Sequence, residues 1–317
     1  MLPSRYNREN LRRLTDNPGL VLGELNRIGC ELNKAYHRRR QPRPSGVDVM
    51  AEDWDNLLIL DGCRYDMYCE HTSFERPVDR RRSAGSDSWE FLEANFAGRQ
   101  FHDTVYVTAN PHAYRLSEGV FHHRRNLLDD AWDPDVGTVR PAEMAAATRE
   151  AHRRFPDKRL LVHFMQPHFP FLGETGRRLD EPGIDLHMDD EERSDSLDVW
   201  DKLRYGELDR APVWEAYREN LDIVLDTVRS LDADLDGKTV VSTDHGNLVG
   251  DRLRPIPVRG YGHPRGLYAP QLIEVPWQVV SVDDRRTIRS EQPVEAGEDS
   301  LSDDVVEDRL QNLGYKA

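Results

Sequence analysis

Five short apolar runs, spaced by segments of helical periodicity, constrain the fold of this chain more than any other feature. The apolar runs are residues 56–60, 104–108, 160–164, 239–243 and 275–280. The helical patterns between them cover residues 88–96, 141–155 and 212–231. Strands that alternate with helices in this way predict a parallel sheet with helices on its faces. We therefore predict the α/β fold class, with a central mixed or mostly parallel sheet flanked by helices.

Composition divides the 317 residues into three regions. Residues 1–46 are a basic helical extension and linker, residues 47–281 contain the apolar runs and form the main domain, and residues 282–317 are an acidic tail. Within the main domain, residues 179–210 are so acidic that we interpret them as an excursion outside the core. A chain of about 300 residues is long enough to bury one large core.

Within the N-terminal extension, apolar residues recur at helical spacing, at Val21, Leu25, Ile28, Leu32 and Tyr36. We interpret this segment as an accessory helix whose apolar face packs on the main domain. The alternative is a peripheral anchor on anionic lipid, which needs more apolar surface than this face offers.

Charge and composition exclude several classes of protein. The net charge of −15, from 58 acidic and 43 basic side chains, argues against nucleic acid as a partner, because binding to phosphate backbones needs clustered Lys and Arg. No run is long enough for a transmembrane segment, and the first residues lack the apolar core of a signal peptide. With only three cysteines, these features predict a cytoplasmic protein. Only five of the basic residues are lysine, and an acidic chain poor in lysine suggests a halophilic origin.

Four of the five apolar runs end at polar side chains of the kinds that bind ligands. These side chains are Asp61, Asn110 with His112, Gln166 with His168, and Asp244 with His245. Ligands of open parallel sheets bind outside the carboxyl ends of the strands. If the strands are neighbours, we expect these side chains to meet at one edge of the sheet.

Asp61, Asp244 and His245 have the composition of a divalent-metal site. Two carboxylates and an imidazole suit Zn²⁺, Mn²⁺ or another ion of intermediate hardness, and leave a position open for substrate. The predicted cofactor is therefore one divalent metal ion, with Zn, Mn, Mg and Ca as the candidates. The alternative is an aspartate that caps a helix beside a histidine with a structural role.

These motifs resemble those of the alkaline phosphatase superfamily, and most closely its sulfatase-like hydrolase branch. The resemblance covers about residues 54–280 and rests on LILDGCRYD, MQPHFPF, STDHGN and GYGHPRGLYAPQLIEVPW. Proteins of this kind are single α/β domains that cleave or transfer phosphate and sulfate esters through a metal-activated nucleophile at a helix N-terminus. The resemblance therefore implies that residues 47–281 are a sulfatase-like catalytic domain.

The resemblance also implies roles for individual positions. Asp61, Asp244 and His245 match metal ligands of the family, and His263 matches a further histidine that binds metal or substrate. His168 matches the histidine that contacts the transferred group. Either His168 or His263 would then bind that group or protonate the leaving group.

The nucleophile that the resemblance implies is Ser88, at the start of SWEFLEANFAG, with Ser86 as the near alternative. A serine in the first turn of a helix lies at the positive end of the helix dipole, where anionic oxygens bind readily. A bound dication would also lower the pKa of its hydroxyl. Otherwise Ser88 is an ordinary helix-capping residue. Arg64 could bind an ester oxygen through its planar fork, or it could pair with Asp66.

We predict a metal-dependent hydrolase or transferase of sulfate or phosphate esters, acting on an anionic ester that a glycan could carry. SDSWEFL lacks the Pro and Arg of formylglycine sulfatases, so the predicted nucleophile is the serine itself. One alternative is a phosphoglycerol- or phosphoethanolamine-type transferase acting on lipid or glycan. Another is a site without catalysis that binds a sulfated or phosphorylated glycan, because Gly62 replaces the second aspartate that many sulfatases carry.

Overall fold

A seven-stranded sheet forms the centre of the protein in a computed structural model that describes residues 18–40, 45–180, 198–294, 305–306 and 309–310. The strands of the described chain are β1 (Asn56–Asp61), β2 (Asp79–Arg82), β3 (Phe101–Thr108), β4 (Phe121–Asn126), β5 (Trp132–Asp133), β6 (Thr138–Val139), β7 (Arg159–Pro167), β8 (Lys238–Thr243), β9 (Leu248–Arg252), β10 (Arg259–Gly262) and β11 (Glu274–Val282). The central sheet has the order β2-β11-β8-β1-β7-β3-β4, and β5–β6 and β9–β10 form two small antiparallel pairs.

Strands β8, β1, β7, β3 and β4 run parallel, and β11 runs antiparallel to both of its neighbours. The prediction of an α/β fold with a mostly parallel central sheet is therefore confirmed. Each of the five apolar runs is a strand of this sheet, and each strand is longer than its run by one to four residues in total.

Helices cover both faces of the sheet. The helices of the described chain are α1 (Pro18–Arg40), α2 (Tyr65–His71), α3 (Ser88–Phe96), α4 (Pro141–Arg154), α5 (Glu174–Asp180), α6 (Val199–Tyr205), α7 (Arg210–Asp232) and α8 (Pro270–Ile273). Alternate residues of β1 point to opposite faces, as the pleat of a strand requires. Leu58 and Leu60 belong to the apolar cluster that contains α4 and α7, whereas Leu57 and Ile59 belong to the cluster that contains α3.

The two edge strands of the sheet were not predicted from the sequence. β2 reads DRRR and β4 reads FHHRRN, so neither has the apolar run that marked the inner strands. An edge strand has only one neighbour and is covered less completely, which allows polar residues along its length. Patterns of apolar residues therefore identified the inside of this sheet and not its borders.

Part of the acidic segment 179–210 is core, which differs from our prediction. Residues 181–197 lie outside the described residues, but α6 follows them and buries Val199, Trp200 and Leu203 in the main apolar cluster. The high average charge of the segment concealed these three positions.

The N-terminal helix α1 packs on the domain with the face opposite to the one we predicted. Val21, Leu25, Ile28, Leu32 and Tyr36 are all exposed to solvent. The buried face instead carries small and polar residues, namely Gly23, Asn26, Gly29, Cys30 and Asn33.

Within the described part of the chain, no helix is both long enough and apolar enough to cross a membrane.

The side chain of Asn220, on α7, holds the segment that follows β7 against the core through hydrogen bonds to its backbone. Its Nδ2 donates to the carbonyl oxygens of Pro167, His168 and Pro170, at 3.1, 3.0 and 3.1 Å. Its Oδ1 accepts a hydrogen bond from the N–H of Leu172 at 2.8 Å. One buried amide thus satisfies four backbone groups around His168.

We expect Asn220→Ala to lower the free energy of unfolding by about 1–3 kcal/mol, because it leaves buried backbone groups without hydrogen-bond partners. Urea unfolding of the variant and the wild type measures this difference. The matched control is Asp226→Ala on the same helix, where the side chain is 71% exposed and its ion pair with Arg229 contributes little. Equal losses of stability in both variants would contradict the role given to Asn220.

Candidate active site

The carboxyl ends of four parallel strands bring the predicted polar side chains together. Asp61 is the last residue of β1, and Asp244 directly follows β8. Asn110 and His168 follow β3 and β7. Since β8, β1, β7 and β3 are adjacent and parallel, their ends lie along the same edge of the sheet. The fold therefore places these polar side chains at one edge of the sheet, as the sequence predicted.

The carboxylates of Asp61 and Asp244 form the centre of the site, and both are fully buried. Asp61 Oδ2 accepts hydrogen bonds from Asn110 Nδ2 at 2.6 Å and from Ser88 Oγ at 3.0 Å. Asp244 Oδ1 accepts from the backbone N–H groups of Gly62 and His245, at 2.9 and 2.8 Å. Asp244 Oδ2, in contrast, is a buried oxygen that makes no hydrogen bond.

His163, on β7, belongs to the same centre although it was not predicted. Its Nε2 lies 3.5 Å from Asp61 Oδ2 and 3.5 Å from Asp244 Oδ2, and it also makes no hydrogen bond. The ligand atoms of Asp61, His163 and Asp244 all lie within 4.8 Å of one another, which makes them a group that could hold a metal ion. The sequence signal that could have identified His163 was a single histidine inside the apolar run 160–164. We interpreted that run only as a strand.

The charges of the site favour a positive ion between the carboxylates. Burial alone would raise the pKa of Asp244, but the neighbouring His245 and His163 hold that pKa well below its usual range. Burial would conversely lower the pKa of His245, and the carboxylates of Asp244 and Asp61 raise it instead. For His163, Tyr106 and the same two carboxylates outweigh burial and raise the pKa far above its ordinary value.

These residues fit a divalent metal ion. Two buried carboxylates are costly unless a cation compensates them, and Asp244 Oδ2 and His163 Nε2 are buried atoms whose bonding capacity is unused. His245 Nε2 lies next to this group, at 3.5 Å from Asp244 Oδ2 and 3.8 Å from Asp61 Oδ1. The structure therefore brings the predicted ligands Asp61, Asp244 and His245 together and adds His163 to them.

His263 lies beside His245 but is bonded to His168. Its ring centroid is 4.7 Å from that of His245, and its Nε2 is 2.9 Å from His168 Nε2. His168 Nδ1 is 2.7 Å from the carbonyl oxygen of Phe169, which can only accept, so Nδ1 carries a proton. The Nε2 of neutral His168 is then an acceptor, and His263 Nε2 donates to it. Burial, followed by the nearby His245 and His168, lowers the pKa of His263 well below its usual value.

Ser88 and Ser86 have different surroundings, although only one residue separates them. Ser88 is the first residue of α3, and its Oγ lies 3.0 Å from Asp61 Oδ2 and 3.2 Å from His245 Nε2. Ser86 Oγ donates to Glu90 Oε2 at 2.8 Å and accepts from the N–H of Gly266 at 2.9 Å. The structure therefore places Ser88 in the site, whereas Ser86 links two backbone segments next to it.

Arg64 binds groups of the protein rather than reaching the carboxylate centre. Its guanidinium donates to both carboxylate oxygens of Asp66, at 2.8 and 2.6 Å, and to Asp251 Oδ2 at 2.8 Å. A further bond goes to the carbonyl oxygen of Asn247. Of the two roles considered for Arg64, the described contacts match the pairing with Asp66, and binding of an ester oxygen stays a prediction.

We expect the protein to bind one equivalent of Zn²⁺ or Mn²⁺, and expect Asp244→Asn and His163→Gln each to weaken that binding by more than about tenfold. Both substitutions preserve size and remove one ligand atom from the centre. Isothermal titration of metal-free protein measures the affinity. Asp251→Asn is the matched control, since Asp251 pairs with Arg64 outside the centre. Unchanged affinity in both test variants would refute this ligand set.

The sequence matches no protein-family model and no curated protein. In structure, the chain is similar to the soluble domain of lipooligosaccharide phosphoethanolamine transferase A from Neisseria meningitidis, with a TM-score of 0.44 and 11% identity over 70% of this chain and 74% of that one. For the integral membrane protein of that name, the TM-score is 0.43 and the identity 12% over 72% of this chain, which spans 48% of the longer protein. A phosphonate monoester hydrolase from Silicibacter pomeroyi gives a TM-score of 0.38 and 13% identity, over 81% of this chain and 72% of that one.

Proposed function

We propose that this protein is a metal-dependent enzyme that hydrolyses or transfers phosphate or sulfate esters, with Ser88 as its nucleophile. One observation carries the proposal. Ser88 Oγ lies within hydrogen-bond distance of Asp61 Oδ2 and His245 Nε2, at the N-terminus of a helix and beside the buried group Asp61–His163–Asp244. A plain helix cap needs neither of these two partners, and Asp87 already caps α3 by accepting from the N–H of Glu90.

Asp61, Asp244 and His245, with His163, would hold the metal ion. When bound there, a divalent ion lowers the pKa of a neighbouring hydroxyl and neutralises the charge of an anionic ester. The positive end of the α3 dipole adds to the attraction for the ester oxygens. Asp61 orients the hydroxyl of Ser88 through the hydrogen bond between them.

His245 is oriented to receive the proton of Ser88. Its Nδ1 lies 2.7 Å from the carbonyl oxygen of Gly246 and therefore carries a proton. When the ring is neutral, its Nε2 carries the lone pair and can accept the proton of Ser88 Oγ, 3.2 Å away, once that hydroxyl turns from Asp61 towards His245. The same lone pair suits a metal ligand, so His245 can serve either purpose in this geometry.

The reaction that fits these residues has two steps. In the first, Ser88 Oγ attacks the phosphorus or sulfur atom, the bond to the leaving-group oxygen breaks, and a seryl ester forms. His263, whose neutral ring carries a proton on Nε2, or His168 would stabilise the departing oxygen by a hydrogen bond, and the proton that Ser88 loses to His245 would pass on to that oxygen. In the second step, water releases the group from Ser88, which is hydrolysis, or an acceptor hydroxyl takes it, which is transfer.

Transfer to an acceptor is the second candidate, and the burial of the nucleophile bears on both reactions. Ser88, Asp61, Asp244 and His245 are each fully buried, and His263 is only partly exposed. Transfer is the outcome when a bound acceptor hydroxyl reaches the seryl ester before water does. Hydrolysis and transfer share the same first step, and the burial of Ser88 limits the access of both water and acceptor.

Several finer statements stay predictions. They are membership of the alkaline phosphatase superfamily and its sulfatase-like branch, the choice between sulfate and phosphate, the cytoplasmic location and the halophilic origin. Sulfate and phosphate esters both present tetrahedral oxyanions, which the same helix N-terminus and cation attract. A site that only binds a sulfated or phosphorylated glycan would keep the metal and lack turnover.

We expect Ser88→Ala to reduce turnover of an aryl phosphate, aryl phosphodiester or aryl sulfate by at least about a thousandfold, because the covalent step needs the hydroxyl. The assay compares the three ester classes with Zn²⁺ or Mn²⁺ present. Ser86→Ala is the matched control and should keep most of the activity. Metal affinity is measured on the same samples and should persist in Ser88→Ala.

Two results would count against the proposal. If Ser86→Ala lost activity while Ser88→Ala kept it, the assignment of the nucleophile would be wrong. If the wild type bound metal and turned over none of the three esters, the glycan-binding alternative would replace the enzyme.

A further inference from the structure

Helix α1 presents a continuous apolar stripe to solvent. The stripe consists of six side chains between 38% and 60% exposed, namely Val21, Leu22, Leu25, Ile28, Leu32 and Tyr36. Single exposed apolar residues are ordinary, but six on one side of one helix form a contiguous patch of the kind that marks an interaction surface. We call these six residues the α1 stripe.

The contacts on the opposite side of α1 set the orientation of the stripe. Asn26 Oδ1 accepts from the N–H of Arg259, and Asn33 bonds to both the N–H and the carbonyl oxygen of Ile256. At Gly23, a Cβ atom would lie 2.3 Å from the ring of Tyr205. The helix therefore approaches the domain closely through glycine and asparagine, and rolling it to bury the stripe would break these bonds.

The charge of α1 is opposite to that of the chain. Residues 18–40 contain five Lys or Arg and two Glu, whereas the whole chain has a net charge of −15. The last turn is a basic cluster, His37 followed by Arg38, Arg39 and Arg40. The guanidinium of Arg40 lies 5.3 Å from the ring centroid of Tyr36, so the basic cluster adjoins the end of the stripe. An apolar stripe next to arginines is the arrangement of helices that lie in the plane of an anionic membrane surface.

Residues 254–266 contact the last turns of α1 and include His263 of the candidate active site. His37 Nε2 lies 3.3 Å from the carbonyl oxygen of Arg254, and Arg38 lies so close to Gly266 that a Cβ there would be 2.4 Å from its Nε. His263 lies within this segment, three residues before Gly266. The segment that contacts the end of α1, residues 254–266, therefore also carries one member of the histidine pair.

The five apolar residues that the sequence pattern identified offer too little apolar surface by themselves, and the structure adds Leu22, which is 60% exposed, and Arg40 beside Tyr36. We propose that the α1 stripe and the adjoining arginines dock the protein on an anionic lipid bilayer, with α1 lying in the plane of the interface. A second copy of the chain fits less well, because its own α1 has the same excess of basic residues, whereas an anionic bilayer supplies negative charge next to the arginines. The docking does not depend on the proposed reaction, since it uses no residue of the carboxylate centre.

The test is co-sedimentation of the full chain with vesicles of phosphatidylcholine, with and without phosphatidylglycerol. We expect binding to the vesicles that contain phosphatidylglycerol and much weaker binding to phosphatidylcholine alone. The triple variant Leu25→Ser, Ile28→Ser and Leu32→Ser should bind the anionic vesicles at least about tenfold more weakly, because it removes apolar area from the interface. Thermal unfolding of this variant should match the wild type, because the three side chains are exposed.

The matched control is Val282→Ser with Val294→Ser, which removes two exposed apolar side chains of other segments, 48% and 41% exposed, and should leave binding intact. Two results would overturn the proposal. In the first, the wild type binds neither kind of vesicle. In the second, light scattering shows a wild-type dimer that the triple variant abolishes, which assigns the stripe to a second copy. Binding is measured without ester turnover, so an inactive Ser88 leaves the result readable.

Discussion

The site depends on the burial of two carboxylates, Asp61 and Asp244, at the ends of adjacent strands. Placing two negative charges side by side away from water is expensive, so each oxygen needs a donor or a cation. The protein supplies backbone N–H groups to one oxygen of Asp244 and side-chain donors to Asp61. Asp244 Oδ2 and His163 Nε2 make no hydrogen bond and face each other at 3.5 Å. A metal ion between the carboxylates would use both atoms as ligands in place of this ion pair, and Ser88 matters for the chemistry because it lies beside them.

The sheet determines which side chains can share this centre. β1 lies between β8 and β7, and Asn56 is in register with Thr239 on one side and Leu160 on the other. The three strands therefore end at similar heights, and the register shift after Leu60 moves Asp61 opposite Pro167. Strand register, rather than proximity in sequence, brings together groups that lie more than 180 positions apart in the case of Asp61 and Asp244.

The inner strands and the strand-end residues could be predicted because each leaves a local signal in the sequence. Asp61, Asp244 and His245 stand directly after apolar runs, where chemistry at the sheet edge is expected. His163 could not be found in this way, since it lies within a run and its approach to both carboxylates depends on the pairing of β7 with β1. Polar edge strands such as β4 carry no apolar pattern, and only the completed sheet reveals them.

Helix α1 shows that the periodicity of apolar residues can predict an amphipathic helix without predicting which of its faces packs on the domain. The period of its apolar residues correctly indicated a helix with one apolar face, but it carries no information on which face the domain covers. Asn26 and Asn33 bind backbone groups of the segment 256–259, and Gly23 and Gly29 allow close approach, so polar and small residues do the packing. Apolar surface left out of the core contributes nothing to folding and stays available for association. A helix attached in this inverted way therefore points to a partner outside the domain, and its basic end restricts that partner to a negatively charged one.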